Sequence, residues 1–125
     1  MINLNPDFGQ VLTPDTVAEM MIKRSLSYLK NKKLSILDPA IGPATFLKAI
    51  NKLKLNIKNF DGYDIDNRMC IISNEYCSKL KYKNKIFNED FLLNNNQTFY
   101  DFVILNPPYI RQEKLSTEYK KKLKE

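Results

Sequence analysis

Apolar residues early in the chain recur with a helical period. Ala18, Ile22, Leu26 and Leu29 fall at spacings of four, four and three, with Val17, Met21 and Tyr28 beside them. This is the stripe of an amphipathic helix. Thr13-Pro14-Asp15 supplies its start, with Thr as N-cap, Pro at the first helical position and an acid in the first turn. The pattern carries to about Lys30, before the polar break Asn31-Lys32-Lys33. The period then shortens: Leu34–Leu37 reads as an apolar strand ending on Asp38. After a turn over Pro39–Ala44, a second helix opens near Thr45 and carries Phe46, Leu47, Ile50 and Leu53. Asn59–Asp64 reads as a strand ending in acids. A helix from Asn67 to about Leu80 places Met69, Ile72, Tyr76 and Leu80 on one side. Lys85–Asn88 is a third strand, again followed by acids, Glu89 and Asp90. Asn94–Gln97 is a solvated loop, Phe102–Leu105 a fourth strand, and Lys114–Glu125 a basic helix.

Strands alternating with helices predict an α/β domain, a parallel sheet with helices on its faces. Such sheets bind ligands beyond the carboxyl ends of their strands. Each expected strand end here carries either an acid or the turn Asn106-Pro107-Pro108-Tyr109. Most of the glycines and prolines fall in the same stretches; no internal repeat or linker divides the chain.

Composition narrows the classes. At 125 residues the chain is at most one domain, and 43% hydrophobic residues with seven Phe and seven Tyr suit a packed core rather than a disordered tail. No apolar run approaches the ~20 residues of a membrane span, and MINLNPDFGQ lacks the regions of a signal peptide, so a cytoplasmic protein without membrane partners is expected. Cys70 and Cys77 lie about 10 Å apart along one predicted helix, too far for a disulfide, and read as core residues. Neither follows a proline, so the Pro-Cys nucleophile of cytosine-C5 methylation is missing. The absence of histidine excludes His-based acid–base chemistry and most zinc sites, and no metal is expected. The charge of +6 suits a nucleic-acid partner, although a Lys- and Asn-rich composition produces the same excess.

The candidate chemistry lies at the strand ends. In "DPAIGPATFL" (38–47) small residues bring the backbone close to a ligand, and the following helix N-terminus offers free N–H groups to a carboxylate. The ordinary reading is a strand-to-helix turn that needs Gly42 for its shape. In "GYDID" (62–66), Asp64 is placed to hold ribose hydroxyls and Ile65 to pack on a purine face; Asp66 competes, but also suits a helix N-cap. In "NEDFL" (88–92), Asp90 offers an acceptor to an adenine amino group and Phe91 a ring contact; a loop start followed by a core Phe would look the same. In "FVILNPPYI" (102–110), proline keeps the preceding residue extended. The Asn106 amide oxygen and the Pro107 carbonyl then form a pair of acceptors suited to one exocyclic amine. Drawing on both its hydrogens localises the lone pair. Tyr109 offers a stacking face worth roughly 1–3 kcal/mol.

Taken together these residues resemble the amino-methylating, S-adenosylmethionine-dependent DNA methyltransferases, above all the adenine-N6 enzymes of restriction–modification systems. "GQVLTPDTVAEMM" (9–21) looks like their N-terminal cofactor segment, "DPAIGPATFL" their DPACGSGxFL loop, and "NPPYIRQEKL" (106–115) their catalytic motif and its sequel. The resemblance implies a Rossmann-like class I fold with strand order 3-2-1-4-5-7-6. It assigns Thr13, Pro14, Asp38, Ala40, Gly42, Asp64, Ile65, Asp90 and Phe91 to S-adenosylmethionine. It assigns Asn106, Pro107, Pro108 and Tyr109 to an adenine flipped out of double-stranded DNA, which takes the methyl group in line.

The chain departs from that family pattern at Ile41, Pro43 and Ala44, which stand where Cys, Ser and Gly are usual. About four strands are expected from it: a cofactor segment and helix in 1–33, the start of the sheet in 34–125, and no target-recognition domain. It is therefore expected to be the N-terminal half of a catalytic domain, inactive alone, with Val103 and Leu105 on an open edge. A complementary chain would complete it. Methylation of a protein glutamine or of RNA uses the same turn. A non-catalytic cofactor-binding or DNA-associated subunit of a split complex would also carry these residues, and a plain α/β interaction domain would share the fold.

Overall fold

The computed structural model describes residues 13–29, 32–95 and 98–104. Among these residues, three α-helices, α1 (Asp15–Leu29), α2 (Thr45–Lys52) and α3 (Asn67–Cys77), accompany four strands, β1 (Leu34–Asp38), β2 (Ile57–Tyr63), β3 (Lys83–Phe87) and β4 (Phe102–Val103). All strand pairs are parallel, in the order β3-β2-β1-β4. That is the order implied by the family resemblance for the first four strands.

Local chemistry sets most boundaries. The Pro14 carbonyl accepts from Val17 and Ala18, each at 3.0 Å, so α1 begins at Asp15, one residue later than expected. The Asp66 carboxylate accepts from the Arg68 N–H at 2.9 Å and caps α3, the role the sequence left open for it. Both β2 and β3 begin two residues earlier than the apolar pattern suggested, at Ile57 and Lys83. Ile57 is a buried core residue that the expected span left out, whereas the amino end of β3 is set by main-chain pairing, with Lys83 opposite Asn59. The solvated loop Asn94–Gln97 is described only in part, and Leu105, Asn106–Tyr109 and Lys114–Glu125 lie outside the described residues.

The inward face of α3 is wider than the apolar pattern alone drew it, with Tyr76 and Leu80 packed against the core. The helix ends at Cys77, not near Leu80, and buries Met69, Cys70, Ser73 and Cys77; Ile72 and Tyr76 are half-buried beside them. The Cys70 thiol faces the Asp64 carbonyl at 3.5 Å and the Phe87 carbonyl at 3.7 Å, contacts that a pattern built on large apolar residues overlooks.

Register separates the two faces of the sheet. Ile36 pairs with Phe60 and with Phe102, and these side chains share one core with Ala18 and Ile22 of α1 and with Leu47 and Ile50 of α2. Leu37, Asp61 and Tyr63 point to the other side, as alternation along a strand requires. A crossover from β3 back past β2 and β1 to β4 runs opposite to the two before it. Right-handedness therefore sends it over this second face. Its contacts agree: the Phe91 ring meets Tyr63 edge-on at 5.1 Å, and the Tyr100 hydroxyl donates to the Asp61 carboxylate at 2.7 Å. The direction in which successive strands are added thus reverses between β1 and β4, which makes their carboxyl ends the topological switch point.

Candidate functional site

Asp38 closes the central strand β1, at the switch point. It is buried to 2% exposure. One carboxylate oxygen accepts from the Ala40 N–H at 3.1 Å, while Oδ2 has no hydrogen-bond partner. Burial pushes its pKa up to about 7, with the Ala40 N–H pulling it down and the nearby Asp64 charge raising it further. A buried oxygen without a partner is costly, which makes Asp38 a candidate to meet a donor or cation.

The turn after Asp38 is clipped to β2. The Ile41 N–H donates to the Tyr63 carbonyl at 2.9 Å, and the Gly42 N–H donates to Asp64 Oδ2 at 2.8 Å. Ile41 itself is buried over Gly62, where a Cβ would stand 2.6 Å from Ile41 Cδ1. The isoleucine at this unusual position thus fills the space that a strand glycine leaves, a packing role that loop composition alone did not reveal. Gly42 has φ +54°, and nothing lies within 4 Å of where its Cβ would be, so the turn is open on that side. Ala44 is buried and also left-handed, at φ 66° and ψ 32°. That geometry costs an L-residue roughly 1–2 kcal/mol, which accounts for the glycine of the related loops.

Asp64 follows β2 and is held on both carboxylate oxygens by main-chain donors, Gly42 on Oδ2 and Asp66 on Oδ1, each at 2.8 Å. Desolvation raises its pKa, against the pull of the Asp66 and Gly42 N–H groups. Asp66, its competitor, is committed to capping α3 and to an ion pair with Arg68 at 2.8 Å. The side chain of Ile65 is exposed beside Asp64. Asp90 accepts from the Leu92 N–H at 2.9 Å and starts a short 3-10 turn, Phe91–Leu93, that the sequence pattern did not anticipate. Tyr63 stacks on Phe87 at 4.7 Å and takes the Phe91 edge, so half-buried Phe91 packs against the carboxyl end of β2.

The structure thus joins Asp38, Ala40, Gly42 and Asp64 directly, with Ile65, Asp90 and Phe91 at the same end of the sheet. Thr13 and Pro14 head α1, which packs on α2. The residues expected to be catalytic, Asn106, Pro107, Pro108 and Tyr109, lie outside the described residues. The described chain stops just before it, at Ile104, whose N–H donates to the Leu37 carbonyl at 3.0 Å beside Asp38. Among the described residues, no cluster of three His, Cys, Asp or Glu side chains could hold a metal ion. None of their helices is long and apolar enough to cross a membrane.

The model of the Eco57I restriction-modification methylase family matches residues 15–125. The chain belongs to that family. It is 34% identical over 117 residues to the type II methyltransferase M.HincII of Haemophilus influenzae, covering 94% of this chain and 20% of that protein. The chain therefore spans about a fifth of that relative's length. It is also 31% identical over 103 residues to a release factor glutamine methyltransferase of Buchnera aphidicola, covering 82% of this chain and 36% of that one. Among solved structures, a class I S-adenosylmethionine-dependent methyltransferase from Listeria monocytogenes superposes with a TM-score of 0.66 at 25% identity, over 81% of this chain and 32% of the other. The described sheet is the 3-2-1-4 part of that class I fold.

Proposed function

We propose that this chain carries the cofactor-binding part of a DNA adenine-N6 methyltransferase and holds S-adenosylmethionine at the carboxyl ends of β1 and β2. The observation that carries the reading is Asp38, a buried carboxylate with one unpartnered oxygen at the switch point, next to an open turn. The donor set fits the cofactor piece by piece. Asp38 takes the ammonium, Ala40 and Gly42 let the methionine portion lie close to the backbone, and Asp64 takes the ribose hydroxyls. Ile65 and Phe91 flank the base, Asp90 meets its amino group, and Thr13-Pro14 closes over the carboxylate.

When bound, the cofactor supplies an electrophilic methyl on its sulfonium. The chain's own work is positioning. The Asn106 amide oxygen and the Pro107 carbonyl accept from the N6 amine of a flipped adenine, and Tyr109 stacks on its ring. The restriction–modification family favours DNA as the substrate; the glutamine methyltransferase match favours a second reading, transfer to a protein glutamine amide, which presents the same planar NH₂. With a chain supplying the remainder of the family's length, the preparation is given labelled S-adenosylmethionine, duplex DNA and a release factor. N6-methyladenine on digestion supports the first reading, and methylglutamine the second. Cofactor binding with transfer to neither makes this a cofactor-binding subunit.

A further inference from the structure

We propose that Asn88 is a positioning residue for the cofactor site, acting through the main chain of Asp64 and Ile65. This rests on the reading of Asp64 as the ribose ligand. Asn88 is the first residue after β3, and its side-chain Nδ2 donates to the Asp64 carbonyl at 3.0 Å and to the Ile65 carbonyl at 3.2 Å. Both partners are carbonyl oxygens, which only accept. The amide orientation follows from that, since the oxygen of Asn88 could not take the same place.

The preceding residue completes the grip: the Phe87 carbonyl accepts from the Asp64 N–H at 3.0 Å. Two consecutive residues of the β3 end thus hold Asp64 by both its main-chain groups. The same Asn88 amide fixes the carbonyl of Ile65, whose side chain is open beside the site. Asp64 and Ile65 are two of the contacts assigned to the nucleoside, one polar and one apolar, and a single exposed amide aligns the backbone of both.

A cyclic diol needs two acceptor oxygens in one fixed plane, so freedom in this loop must be removed at binding. Clamping the loop beforehand removes that cost from the binding step. Asn88 touches no part of the proposed ligand; its effect is transmitted through the peptide units it holds. An isosteric aspartate is the sharpest probe, because it turns two donor contacts into two facing oxygens while keeping the shape.

The test titrates the 125-residue chain calorimetrically with S-adenosylhomocysteine and with its 2′-deoxy analogue, for wild type, Asn88→Ala, Asn88→Asp and Asp64→Ala. Asn88→Ala is expected to bind S-adenosylhomocysteine about fivefold to tenfold more weakly, the scale of one or two net hydrogen bonds. Asn88→Asp should lose more than Asn88→Ala. Both losses should shrink for the 2′-deoxy analogue, which lacks part of the contact that the loop positions, while circular dichroism shows the same fold. Wild-type affinity in Asn88→Ala, or equal losses for both ligands, with Asp64→Ala still defective, would overturn the inference and leave the cofactor reading intact. Normal binding by Asp64→Ala removes the ribose assignment itself, and this inference with it.

Discussion

At the scale of single residues, Asp38 combines two demands that oppose each other. Its burial favours the protonated acid, with a pKa pushed up to about 7, whereas an ammonium ligand needs the carboxylate. Ligand binding must therefore expel a proton below that pKa. Affinity for S-adenosylhomocysteine is expected to rise as pH goes from about 6 to about 8, by at most about tenfold per unit on the acid side. Titrations across that range check it, and Asp38→Asn should bind weakly with a flattened profile. Stability moves the other way. The folded state keeps a proton that the unfolded state releases near 3.8, so the contribution of Asp38 to stability falls as pH rises from about 4 to about 7. The Asp64 pKa is also raised, which extends the same sense of change.

At the scale of elements, the site depends on how the turn after β1 is fastened to β2. Two main-chain donors of the turn, from Ile41 and Gly42, and one side chain, Ile41, make that junction. Gly62 is required by close approach, not by its backbone angles. A Cβ there would also meet Ile86 Cδ1 at 3.0 Å and Ile41 Cβ at 3.2 Å. The first of these neighbours can swing; the last is anchored to the turn. Gly62→Ala is expected to cost about 1–3 kcal/mol by overpacking, read from urea denaturation. Adding Ile41→Val to it should recover part of that loss, so the two changes are non-additive. A full, additive loss in the double variant would mean that the turn is not seated on Gly62.

At the scale of the molecule, the candidate site lies where two crossovers of opposite sense part. The crossovers through α2 and α3 build one layer, and the return path to β4 covers the carboxyl half of the other face through Phe91 and Tyr100. A ligand at that junction touches β1, β2 and the connection after β3 together, so its binding energy should be felt by global unfolding. Saturation at a hundred times Kd is expected to add about 2.7 kcal/mol to stability, seen as a raised thermal midpoint. Asp64→Ala should show little of that rise at the same concentration.

The α/β class, the order of elements and the short stretches that end the strands were legible in the amino-acid sequence alone. Those follow from local causes: hydrophobic period, a Thr-Pro helix start, an Asp that caps α3, and small residues at tight turns. The sequence also put Asp64 forward over Asp66, because the place of Asp66 before Asn67 suits a helix N-cap, and Asp66 does cap α3. What depends on groups far apart in the chain came from the folded arrangement. It left Asp38 buried with one oxygen unpartnered, turned the small face of α3 inward, and seated Ile41 on Gly62. It also brought Asn88 under the Asp64–Ile65 carbonyls, across the whole of α3 and β3. Each is a matter of register and close approach between strands, which no local pattern of polar and apolar residues encodes.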